Sequence, residues 1–176
     1  MKIAYFSPDR KEVFIEPDED QLTRLIMETE YNYWMRGGND GDGEMKYIVD
    51  EPPMSKTDVL AHEFGAESDY YIMQGYKILS KQPRLSILRP HKDYFSFHVY
   101  GDRVLAPYKG FHTEEYVTTE VGGDPYRIPF CCLVDKSVAL QIVIDFCIKR
   151  KLSSKVEWKP ISEIKFKADW FDDNFI

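Results

Sequence analysis

Short runs rich in aromatic and β-branched residues, separated by Gly, Pro and charged breaks, alternate with a single strongly helical stretch over 135–150. This pattern predicts an α+β fold: a single domain spanning 1–176, with an antiparallel sheet packed by at least one long helix. A length of 176 residues supports one real core and is short for two domains, and 43% hydrophobic with 15% aromatic content excludes wholesale disorder and long coiled coil.

The elements follow in order. KIAYFS (2–7) and EVFIEP (12–17) flank the turn-forming SPDRKE, which predicts a first hairpin. Asp18 with Gln21 three residues later forms a capping-box signature, and Leu22, Leu25 and Ile26 recur on one face, so a helix is expected from about 19 to 31. RGGNDGDGE (36–44) breaks that period, and MKYIVD resumes as a strand. EPPMSK (51–56) interrupts the chain without separating two hydrophobic cores, so no domain boundary is set there. DYYIMQGYKI, RLSILR and DYFSFHVY read as an antiparallel meander. In the last of these, Phe95, Phe97 and Val99 face one side, with Tyr94, Ser96, His98 and Tyr100 on the other.

GFHTEEYVTTEVGG continues the strand-rich pattern. Residues 135–150 form the clearest helix, beginning near Asp135, with a narrow polar stripe through Gln141, Asp145 and Lys149. Val138, Ala139, Ile142, Val143, Phe146 and Cys147 would cover the sheet, and SSKVEW would return as a strand with Val156 and Trp158 on one face.

The formal charge is −7, and it is concentrated: residues 1–51 carry thirteen acids and six bases, whereas 52–176 carry seventeen of each. That balance argues against direct nucleic-acid binding, since the basic carboxyl-terminal residues Lys149, Arg150, Lys151, Lys155, Lys159, Lys165 and Lys167 accompany no nucleic-acid fold motif. Cys131, Cys132 and Cys147 make neither a disulfide framework nor a zinc-spaced pair, and read as buried free thiols. With neither a signal segment nor a membrane-length apolar run, a soluble, cytoplasmic protein is expected, away from membranes.

Motifs for chemistry are sparse. Asp40, Asp42 and Glu44 alternate as hard-cation ligands would, but Met45 stands where a calcium loop needs Gly. His62-Glu63 lacks the second His of a zinc-protease motif, because Ala66 occupies that place. Neither Gly-Gly pair belongs to a phosphate-binding loop, and no nucleophile elbow surrounds a cysteine near His112. No catalytic residue, metal or cofactor is assigned. His91, Asp93 and His98 are the set that would assist chemistry if the chain were a small enzyme acting on a nucleotide or modified polymer. A noncatalytic adaptor is a further alternative.

The arrangement DYFSFHVYGDRVLAPYKG followed by VGGDPYRIPFCCLVDKSVALQIVIDFCIKRKLSSKVEW resembles the first-numbered immunity-protein family of bacterial polymorphic toxin systems. Gly122, Gly123, Pro129, Val134, Ala139, Phe146, Val156, Glu157 and Trp158 carry the resemblance, which spans 84–159. Asp145-Phe146-Cys147 replaces the family's Phe-rich helix ending, and RKLSSK replaces a Gly/Pro-marked return. The resemblance implies a sheet-rich fold and an intracellular, non-enzymatic protein that binds and neutralises a cognate toxin domain, including a nucleic-acid-directed deaminase or nuclease. For such a partner with a basic active-site surface, the contact set is Trp34, Asp40, Asp42 and Glu44: an aromatic anchor beside an acidic loop in the net-negative third.

Overall fold

The computed structural model describes residues 1–35, 42–55, 70–110, 114–121, 124–166 and 170. The first hairpin forms as expected: β1 (Lys2–Phe6) pairs antiparallel with β2 (Val13–Ile15), with Ala4 opposite Ile15. β1 also pairs with β3 (Gly43–Ile48), and β3 with β6 (Arg84–His91), which turns back into β7 (Tyr94–Tyr100) and β8 (Val104–Tyr108). β12 (Glu157–Pro160) closes this side, giving the order β12-β8-β7-β6-β3-β1-β2. The hairpin of β4 (Tyr70–Met73) and β5 (Tyr76–Leu79) branches from β3, and β11 (Val134–Asp135) adds to β7, for ten strands among the described residues. β9 (Tyr116–Val121) and β10 (Asp124–Pro129) make a separate two-stranded ribbon.

The expected helix 19–31 is broken into three pieces. α1 (Glu19–Thr23) begins with the full capping box, Asp18 accepting from the Gln21 N–H and the Gln21 side chain accepting from the Asp18 N–H. Over Arg24–Glu28 the chain widens into a π-turn, in which the Thr29 N–H donates to the Arg24 carbonyl at 3.1 Å. Glu30 is then extended, and α2 (Tyr31–Trp34) starts afresh. Arg89 holds this break in place. Buried at the end of β6, it donates to the Thr29 carbonyl at 2.7 Å and to the Lys92 carbonyl at 2.6 Å, while its guanidinium lies 5.1 Å from the Phe95 ring. A long-range cation thus takes up a carbonyl that a continuing helix would have used.

α3 (Lys136–Cys147) matches the helical segment, and Asp135 caps it by accepting from the Val138 N–H at 2.9 Å. Its buried face, Ala139, Ile142, Val143, Phe146 and Cys147, packs with α1 and the π-turn over Ile3, Tyr5, Met45, Leu85, Phe95 and Phe97 of the sheet. Burial of Ile142, Val143 and Phe146 contributes roughly 1.5–3 kcal/mol each. The polar stripe is real and knotted: Asp145, itself buried, accepts from Gln141 at 2.9 Å and Lys149 at 2.7 Å.

The alternation expected for β7 also holds. Phe95, Phe97 and Val99 enter the helix-side core, while Tyr94 and His98 turn to the second face, where Tyr126 and Ile128 of the ribbon cover Leu88 and Ala106. β8 escapes the sequence reading because Pro107 argues against a strand. In the structure Pro107 lies opposite Trp158 of β12, beyond the two residues, Val104 and Leu105, that pair with β7. The three cysteines are free and buried. Among the described residues no helix is long and apolar enough to cross a membrane.

Candidate functional site

Two features of the molecule bring chemistry together: a polar strip on the second face of the sheet, and a groove beside the π-turn.

The strip follows from register. Phe6 lies opposite Glu44, Glu44 opposite Ser86, and Ser86 opposite His98, so one row crosses four strands on the face away from α3. Apolar clusters flank it, Ala4, Phe6, Ile48 and Ile78 on one side, and Leu88, Ala106, Tyr126 and Ile128 on the other. Glu44 is 5% exposed and gathers three cations: Lys46 at 2.6 Å, Arg10 at 2.9 Å and Arg84 at 3.4 Å. Lys46, 3% exposed, rests on this carboxylate and on the Met73 sulfur at 3.3 Å. Arg10 reaches in from the β1–β2 turn, where it takes a positive φ of 56°.

Asp42 stands at the end of the strip. Ser86 donates its hydroxyl to Asp42 Oδ2, and Arg10 Nη2 lies 3.4 Å from Oδ1. Burial, reinforced by the neighbouring Glu44 charge, pushes the Asp42 carboxyl up to about 6. His98 is buried beside it with Nε2 3.1 Å from the Tyr126 hydroxyl, and burial alone lowers its imidazole to about 4, so it is neutral at physiological pH. Asp42, Ser86, His98, Tyr100 and Tyr126 share the lining of a cavity of about 220 Å³ with Leu88, Val104 and Ile161.

The groove, about 310 Å³, runs between β2 and the π-turn. Phe14 forms one wall, 37% exposed and stacked on Tyr5 at 5.9 Å, while Leu25, Thr29 and Tyr33 form the other. Tyr33 donates to Glu12 Oε2 at 3.0 Å, and burial with the nearby Glu12 charge pushes its phenol up to about 12. The widened turn supplies Arg24, Leu25 and Thr29 to this surface, the kind of helix irregularity that clusters at functional sites. Met27 and Met35 are exposed on the same segment. Residues 12–35 carry seven acids against one base, a net of −6, so nearly all of the chain's formal −7 sits on the elements that build the groove.

The contact set read from the sequence is dispersed. Trp34 is 1% exposed, set edge-on to Phe95 at 5.3 Å in the helix-side core, so it presents no anchor at the surface. Glu44, buried, and Asp42, part-buried, lie on the opposite face and are engaged with cations of the same chain; Asp40 lies outside the described residues. Phe14 is an exposed aromatic, as are Tyr71 and Tyr116, and its signal was the hairpin itself: VFI places Phe14 out of phase with Val13 and Ile15, both packed against the second-face core.

His91, Asp93 and His98 do not converge either. His91 Nδ1 and Asp93 Oδ2 are 3.6 Å apart at the β6–β7 turn, whereas His98 lies four residues beyond Tyr94, the partner of His91. That spacing is about 13 Å along a strand. His62, Glu63 and His112 lie outside the described residues. Among the described residues no group of three His, Cys, Asp or Glu is arranged to hold a metal ion. Of the basic carboxyl-terminal residues, Lys149 is engaged with Asp145 and Arg150 with Glu16 at 2.6 Å. Sequence reasoning missed Arg10, Ser86, Tyr100 and Tyr126. A serine at the centre of RLSILR was the available sign that the second face is polar there. No protein-family model matches the chain, and no curated protein matches it.

Proposed function

We propose that this chain is an immunity protein that binds a cognate toxin domain and blocks its active site or substrate path, docking through the groove of residues 12–35. The observation that carries the reading is an aromatic-walled groove built from segments of net charge −6. A buried aromatic contact supplies affinity, and surrounding carboxylates steer and orient a basic partner. The resemblance over 84–159 supports the same class of partner, with β6–β8, α3 and β12 as framework beneath the docking face.

The test co-expresses the toxin encoded beside this chain with wild type, Phe14→Ala, and the pair Glu19→Lys with Asp20→Lys. Expected is protection and a one-to-one complex with wild type. Phe14→Ala should lose about 2 kcal/mol of binding, roughly 30-fold, and the charge reversal should slow association with reduced salt dependence. Wild type that neither binds nor protects refutes immunity. Protection unchanged in both variants refutes the docking face alone.

A further inference from the structure

Beside the groove, the outer edge of β2 carries main-chain groups that β1 does not use. We propose that the partner enters as an extended basic segment that adds to β2 as an antiparallel strand, its apolar side chain against Phe14 and its Lys or Arg facing Glu12. This mode rests on the docking face proposed above.

β2 ends the strand order and, among the described residues, pairs with β1 alone. The Ser7 N–H donates to the Glu12 carbonyl at 2.9 Å and the Glu16 N–H to the Ile3 carbonyl at 2.7 Å, so Glu12, Phe14 and Glu16 turn their main-chain groups towards β1. Val13 and Ile15 turn theirs outward. Two N–H donors and two carbonyl acceptors therefore stand in one line, where an antiparallel strand can close two pairs of bonds. Every strand pair among the described residues is already antiparallel.

The opposite edge is defended. There β12 carries Lys159 and ends at Pro160, two of the devices that keep an edge from pairing, and β2 has neither. Phe14, exposed and stacked on Tyr5, instead presents a ring on the side of the sheet where Leu25 and Tyr33 wall the groove. Because side chains alternate, an incoming residue opposite Phe14 falls on that same side, and the residue two positions on falls opposite Glu12. Glu12 is exposed and accepts from the Tyr33 phenol, within a segment, 12–35, of net charge −6. That charge favours a basic partner over a second copy of this chain, since two-fold pairing about Phe14 would set Glu12 opposite Glu16.

The probe is the peptide Ac-Thr-Thr-Val-Leu-Val-Lys-Thr-NH2, titrated into the wild-type full chain and followed by amide chemical shifts and hydrogen exchange. Its leucine pairs with Phe14 and its lysine with Glu12, and the N–H groups of both valines face β2. The expected result is saturable shifts over residues 12–16 and at Leu25, with exchange at Val13 and Ile15 slowed at least about 10-fold at saturation and exchange at Phe14 unchanged. N-methylation of both valines should weaken binding at least about 10-fold, whereas N-methylation of the leucine, whose N–H faces away, should leave it unchanged. Glutamate in place of the lysine should also weaken binding. Val13→Pro removes one outward donor and keeps the bonds to β1, so it should weaken binding as the methylated valines do; the peptide comparison stands even if this variant misfolds. Absence of saturable binding, unchanged exchange at Val13 and Ile15 in the bound chain, or equal loss on methylating the leucine would each overturn the proposal. In a complex with the toxin encoded beside this chain, slowed exchange at the same two amides supports strand addition, and binding that leaves them unchanged overturns it while immunity stands. A toxin that does not bind refutes immunity, and the peptide titration then decides strand addition by itself.

Discussion

Asp42→Asn and His98→Gln should expose two opposite pH dependences that offset one another in the wild-type chain. For Asp42 the folded value, about 6, lies above the ordinary 3.8, so between those values the native state holds a proton that the unfolded chain has lost. Stability therefore falls as pH rises from about 4 to 6, because the slope follows the difference in bound protons, unfolded minus native. His98 works the other way. Its folded value of about 4 lies below the ordinary 6.5, so the unfolded chain binds the extra proton, and stability falls as pH drops from 6.5 towards 4. At about 1.4 kcal/mol per unit, each displacement amounts to about 3 kcal/mol across nearly the same window. Urea denaturation followed by tryptophan fluorescence at intervals between about pH 4 and 7 gives each variant's difference from wild type, in which all shared carboxylates cancel. Asp42→Asn should gain stability over wild type as pH rises through the window. His98→Gln, which keeps a partner for the Tyr126 hydroxyl, should gain as pH falls. Differences of the same sign for both variants, or flat differences for both, would refute the placement of these two groups in one desolvated site.

Glu44→Gln should cost about 3 kcal/mol and Lys46→Met about 1 kcal/mol or less. Removing Glu44 strands a buried ammonium, whereas removing Lys46 leaves Glu44 with Arg10 and Arg84. In a thermal melt the first loss corresponds to roughly 6–12 °C, and a larger effect of Lys46→Met would contradict the ion arrangement. Gly43→Ala should lose about 1–3 kcal/mol by the same measurement. Its new methyl would meet Tyr5 Cε2 and Oη at 2.9 Å and the Trp34 ring at 3.1 Å, and both rings are buried.

Period and caps made the regular elements legible. The α3 segment announced itself through a 3.6-residue apolar repeat and Asp135, and β7 through strict alternation, because in both cases the pattern is set by contacts to a single apolar layer. The break at Thr29 and Glu30 was hidden, since what stabilises it is Arg89, sixty residues away from Thr29 in the chain. Site residues divided in the same way. Asp42 and Glu44 stood out as charges in a glycine-rich run, but that run's turn-like composition suggested exposure. Lys46 lies two residues from Glu44 on the same strand, but Arg10 and Arg84 reach the site from the β1–β2 turn and β6, and such convergence leaves no local trace. Trp34 beside acidic residues had the composition of a contact surface; the pairing with Phe95 that places it in the core is again long-range.

The strip also accounts for how the sheet keeps its register where the ladder is short. β3 and β6 pair over Gly43, Glu44 and Met45 alone, fewer residues than the five that join β3 to β1. Side chains alternate along a strand, so a slip of one residue would turn Glu44 and Lys46 into the layer of Ile3, Tyr5, Leu85 and Phe97. There the Glu44–Lys46 pair would lie among apolar side chains without Arg10 and Arg84, at a desolvation cost of several kcal/mol. In the observed register Glu44 meets Arg10 and Arg84 as well as Lys46, and the alternative Gly43, Met45 and Tyr47 set faces the core side. A buried ion pair contributes little net stability against a well-packed apolar pair, so the register it enforces is the better account of its presence. That register seats Asp42, one residue before β3, on Ser86 at the rim of the cavity. The ionic strip and the polar end of the cavity are thus products of one alignment.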